Sequence, residues 1–189
     1  VEFVDLDLDA NQLGGNITWA PPPDANMSSV ANYYVYLADN SDGTGRSLLG
    51  SPVPVGLNEA SVDVDTAKAL LTHILIYTHS SLFEQTIPVF EAIVDIVSSV
   101  SGVSFADYDL DASEIGGTVR WTEPGSPAQV QTYFVYLATN LAGASKSLLG
   151  SAPVNESSLI VPAQTYRATM SHVVVYAESS LAEQTTPVG

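Results

Sequence analysis

The chain has no cysteine, five basic residues and three histidines. Without thiols there are neither disulfides nor thiolate metal sites, and redox chemistry says nothing about the compartment. Five Lys and Arg stand against 21 Asp and Glu, for a formal charge of −16. Such a surface repels nucleic-acid phosphates and anionic lipid headgroups, so no nucleic-acid partner is expected. No apolar run approaches the roughly 18 residues of a membrane helix, and no membrane insertion is expected. So few histidines, with no recurring Ser/His/Asp arrangement, leave little for nucleophilic or metal-hydroxide catalysis, and the chain is not expected to be an enzyme. It opens on "VEFVDLDLD" without the charged start and apolar core of a secretion signal, which points to a processed form or an excised piece.

What is present is a folded, repeated chain. An apolar fraction of 46% with only 14% charged residues supports packed cores. "LGGNITW" (13–19) matches "IGGTVRW" (115–121), "YYVYLADN" (33–40) matches "YFVYLATN" (133–140), and "SSLFEQTIPV" (80–89) matches "SSLAEQTTPV" (179–188), at offsets of 102, 100 and 99. Self-similarity of this kind marks two copies of one module. The copies span 1–89 and 103–189, and "FEAIVDIVSSVSG" (90–102) joins them.

Within each copy the periodicity is that of strands. Leu13, Gly15, Ile17 and Trp19 share one face, Tyr33, Val35 and Leu37 another, and "HILIY" and "HVVVY" are β-branched runs between turn-forming segments. About seven short strands per copy predict two tandem antiparallel Greek-key β-sandwiches. Trp19 and Trp121 fall in the core pattern, and Tyr34, Tyr36, Phe134 and Tyr136 on an outer face.

The run "TVRWTEP", "YFVYLA", "SLIVPAQT", "VVVYAESSLAEQTTPV" resembles the fibronectin type III module and related immunoglobulin-like sandwiches, over nearly all of each copy. The resemblance implies a strand-B Trp followed by Pro, a Tyr-rich strand C, and a strand F leading through a short turn into strand G. It departs at the tyrosine corner, where Thr72 and Ser171, beside His73 and His172, stand in place of the family's Tyr. No Arg-Gly-Asp occurs, so that adhesive chemistry does not carry over.

Aspartates recur at every second position, as Asp5, Asp7 and Asp9 and again as Asp107, Asp109 and Asp111. A helix-loop-helix calcium loop also needs Gly at its sixth position and Glu at its twelfth. Ala10 and Asn16, and Ala112 and Thr118, occupy those places and exclude it. Two readings stay open. In one, each triplet is a strand with Val4, Leu6 and Leu8, or Ala106, Tyr108 and Leu110, on the core and its carboxylates in water. In the other, calcium at the module ends relieves the repulsion of like charges, with Asp95 adding a ligand. Melting temperatures that do not differ between calcium and chelator exclude the second.

The joining segment is unusual for a linker because it carries Phe90, Ile93, Val94, Ile96, Val97 and Val100. Its β-branched density predicts a strand packed on a neighbouring module, fastening one module to the next or to another molecule by strand addition. Sequons at Asn16, Asn26 and Asn155 are candidate glycosylation sites, with the loop positions Asn26 and Asn155 favoured. The expectation is an extracellular or cell-surface structural or adhesive protein, a unit of a fibre, stalk or matrix, partnered by its own copies or neighbouring repeats. The alternative is a carbohydrate- or protein-binding module of a larger surface protein.

Overall fold

The computed structural model describes residues 1–189 and is all-β, with antiparallel pairing throughout. The chain forms two units, one of Val1–Asp5 with Asn11–Asp95, the other of Leu6–Ala10 with Ile96–Gly189. A five-residue piece of the first repeat is thus built into the second unit. No helix is long and apolar enough to cross a membrane.

In the first unit β1 (Glu2–Phe3), β2 (Gln12–Thr18) and β6 (Glu59–Ala67) make one sheet, in the order β1-β2-β6. The other has β4 (Ser47–Leu48), β3 (Asn32–Ala38), β7 (His73–His79) and β8 (Val89–Ala92) in that order, with β5 (Val53–Pro54) also on β3. The chain therefore changes sheet between β2 and β3, between β5 and β6 and between β6 and β7, as in a Greek key. The alternation seen in the sequence does the packing. Leu13 and Ile17 from one sheet meet Tyr33, Val35, Ile74 and Ile76 from the other, and Trp19 meets Tyr33 edge to face at 5.3 Å between ring centroids.

The second unit repeats the plan. The strands β9 (Ser101–Asp107), β10 (Glu114–Thr122) and β13 (Ser158–Tyr166) form the sheet β13-β10-β9. The strands β11 (Thr132–Ala138), β12 (Ser147–Pro153) and β14 (His172–Glu178) form β12-β11-β14. Val119, Trp121, Tyr133, Val135, Val161 and Val175 fill the core, each apolar side chain contributing roughly 1.5–3 kcal/mol on full burial. Both tryptophans are core residues, as the strand pattern predicts. The strand count differs from seven, with eight in the first repeat because β4 and β5 are separate, and six in the second, where they merge into β12 and the last strand shrinks to a Val175–Val188 bridge.

The aspartate triplets are not strands with a wet face. β1 ends at Phe3 and β9 at Asp107, while Asp5, Asp7 and Asp9 are buried and Val4 is exposed. The cause is local hydrogen bonding. Asp7 Oδ1 accepts from Asp9 N, Asp107 Oδ1 from Asp109 N and Asp109 Oδ1 from Asp111 N, each at 3.0 Å. These are Asx turns, whose i to i+2 spacing has the same period as a strand.

The joining segment is not one strand either. Residues 90–92 pair on β7 as part of β8 and Ser101 and Gly102 open β9, while residues 93–100 between them have no regular structure. Ile93 turns into the first core instead, its N–H donating to Thr72 O at 2.8 Å.

Candidate functional site

The segment Leu6–Ala10 is the feature that most distinguishes this chain from two plain sandwiches. Leu8, only 2% exposed, belongs to the second unit's core with Val100, Trp121, Val130, Tyr133 and Ala177. Polar groups fix the backbone around it. Leu8 O accepts from Gln184 Nε2 at 2.8 Å and from Ser98 N at 3.2 Å, and Leu6 O accepts from Ser179 Oγ at 2.6 Å. Asp9, 3% exposed, receives Thr185 N at 2.6 Å, Thr185 Oγ1 at 3.0 Å and Thr186 N at 3.1 Å. A buried carboxylate is tolerated because three donors replace its water.

The remaining aspartates divide among other tasks. Asp5 Oδ1 accepts from Gly14 N and Asp107 Oδ1 from Gly116 N, both at 3.0 Å, the same turn in each repeat. Asp95, in the first unit, accepts from Asn11 N at 3.0 Å and so serves its own unit rather than Asp107, Asp109 and Asp111 in the second. Asp109, Asp111 and Glu114 bring carboxylate oxygens within 4.8 Å of one another; the sequence reading had not included Glu114. The N–H of Gln164, donating to Asp109 at 2.7 Å, helps hold that carboxyl below its ordinary pKa, with Asp111 N adding to the effect.

The joining residues separate by unit. Ile93 is in the first core, Ile96 and Val100 pack in the second, and Phe90, Val94 and Val97 are exposed, Phe90 lying edge-on to His73 at 5.5 Å. At the expected corner, Thr72 Oγ1 donates to Asp39 O at 2.5 Å and Ser171 Oγ to Thr139 O at 3.3 Å, and each hydroxyl touches the Nδ1 of the adjacent His73 or His172. Hydroxyls thus tie this corner where the resemblance would place a Tyr.

A second repeated constellation escaped the sequence reading. Arg46 lies over the Tyr36 and Tyr77 rings and pairs with Glu84 at 2.8 Å, while Tyr36 donates to Glu84 at 2.7 Å. Lys146, Tyr136, Tyr176 and Glu183 repeat it in the second unit. Recurrence of "EQT" at 84–86 and 183–185 was the available signal, since it holds both this Glu and the Gln of the Leu8 site. Burial pushes the Tyr36 phenol up to about 12, with its hydrogen bond to Glu84 adding, and burial likewise pushes Tyr133 up to about 12. A phenol raised in the folded state contributes stability that is complete below its unfolded pKa of about 10 and is lost as pH rises towards the folded value. Unfolding followed by circular dichroism should therefore show stability declining between about pH 10 and 12; a flat profile there would contradict this.

The sequons differ in environment. Asn26 caps a 3-10 turn (Met27–Ser29) in an exposed loop and Asn155 sits exposed at a turn, whereas the Asn16 amide in β2 donates to Glu59 Oε1 at 2.7 Å. Made through a eukaryotic secretory pathway, the chain should carry glycan at Asn26 and Asn155 and not at Asn16. Peptide mass spectrometry decides this, and occupancy at Asn16 alone refutes it. No protein-family model matches the chain, and no curated protein matches it.

Proposed function

We propose that the chain is a structural tandem-repeat protein, a unit of a fibre, stalk or matrix outside the cell. The observation that carries this reading is Leu6–Ala10, a piece of one repeat that completes the core of the next unit. The backbone passes between the units after Asp5, after Ala10 and after Asp95. Tension along the chain must therefore extract Leu8 and Asp9 before this segment can leave, whereas a flexible linker would yield without unfolding anything.

The sheet orders β1-β2-β6 and β4-β3-β7-β8 support a fibronectin type III-like module, and the hydroxyl-tied corner marks a variant of it. The charge of −16 keeps such arrays mutually repelling and soluble. Immunogold electron microscopy of the source cells tests the reading: label is expected along extracellular filaments or stalks. Label confined to the cell interior overturns it.

A further inference from the structure

The two repeats match closely, yet one has its end covered and the other does not. In the first unit a cavity of about 250 Å³ lies among Trp19, Val30, Tyr33, Ile76, Thr78 and Gln85. Their counterparts in the second unit are Trp121, Val130, Tyr133, Val175, Ala177 and Gln184. That is the place where Leu8 is seated, with Gln184 bonded to its carbonyl. Covered there, Gln184 is 5% exposed, Ser179 is buried and Val130 is buried; the matching Gln85 is exposed, and Ser80 and Val30 are only half-buried.

The other half of the fit stands on the second unit. Tyr108, Leu110 and Asp111 correspond to Leu6, Leu8 and Asp9, but Tyr108 is 78% exposed and Leu110 98%. Leu110 is an apolar side chain in water at the position where its equivalent is a core residue. We propose that the segment Asp107–Ala112 of one chain docks on the first unit of a second copy of this chain. Leu110 enters the cavity beside Trp19 and Tyr33, the Leu110 carbonyl accepts from Gln85 Nε2, and the Asp111 carboxylate accepts from the Thr86 and Ile87 N–H groups. The cavity falls below the roughly 300–1,000 Å³ of a site for a drug-sized ligand, which favours a few inserted side chains. Donor and acceptor are different surfaces, so the contact is heterologous and propagates head to tail. This inference rests on the array reading above and names the contact that would extend the array.

Sedimentation velocity of the full chain over a wide concentration range tests it. Wild type should form head-to-tail oligomers, more strongly as salt screens the like charges of the two copies. Leu110→Asp removes the inserted group from a fully exposed site. Gln85→Glu keeps the oxygen that accepts from Thr78 Oγ1 but loses the donor and repels Asp111. Each variant should stay monomeric, an affinity loss on the order of tenfold or more. Mixed together they should form a dimer that grows no further, because one retains the acceptor and the other the donor. A wild type that remains monomeric at every concentration and salt, or a Leu110→Asp chain that associates like wild type, overturns the proposal. Immunogold label on extracellular filaments would still stand in either case, so the array reading and this contact fail separately.

Discussion

Replacing Leu8 by Ala is expected to destabilise the second unit by about 2–5 kcal/mol, the range for a buried leucine truncated in a packed core, although Leu8 precedes every strand of that unit in the chain. Asp9→Asn should cost the same unit roughly 1.5–3 kcal/mol, because an amide presents a donor to N–H groups that need a charged acceptor. The matched substitution in the other repeat, Leu110→Ala, should change stability by less than about 0.5 kcal/mol, since that side chain is in water. Peptide-resolved hydrogen exchange separates the outcomes. Protection should fall in β10, β11 and β14 and persist in β2, β3 and β7. Equal effects of Leu8→Ala and Leu110→Ala would show that Leu8 is not a core residue of the second unit, and the proposed array would lose its central observation.

Gly143→Ala should be the most damaging exposed-loop change, at roughly 2–5 kcal/mol, combining about 1–2 for a left-handed residue with about 1–3 for overpacking. Gly143 has φ +76, its N–H donates to Asn140 O at 3.1 Å, and a Cβ there would collide with the hydroxyl of buried Tyr176. Tyr176 carries Lys146 3.8 Å above its ring, so displacing it also loosens the Lys146–Glu183 pair. Gly43 repeats the arrangement, at φ +89 with a Cβ 2.6 Å from the Tyr77 hydroxyl. Gly50→Ala is the control. Gly50 has φ +63 and nothing within 4 Å of its Cβ position, so only the backbone cost of about 1–2 kcal/mol applies. Urea midpoints for the two variants should therefore differ; a Gly143→Ala loss no larger than that of Gly50→Ala would remove the tyrosine contact from the explanation.

The repeat, the strands and the tryptophan cores were legible because each rests on local information. Alternation in "LGGNITW" and "YYVYLA" fixes which side chains face inward whatever lies opposite, and Leu13, Ile17, Tyr33 and Val35 are all buried. The strand reading of the aspartate triplets fails for an equally local reason. An Asx turn and a strand both repeat at two residues, and composition alone does not separate a carboxylate bonded to its own backbone from one in water.

Where the segment after Asp5 would go was beyond any local pattern. Residues 5–10 and 107–112 read almost alike, "DLDLDA" and "DYDLDA", yet Leu8 is a core residue and Leu110 is in water. Composition, periodicity and repeat length determined two acidic β-sandwiches of common plan, since burying one face of each strand requires only that the apolar residues alternate. Tertiary structure alone decided that Gln184, Thr185 and Ser179, more than 170 residues away, would receive one copy of the segment and not the other. The burial of Leu8 and Asp9 depends on donors and apolar walls supplied by a different repeat, and no spacing within the segment encodes them.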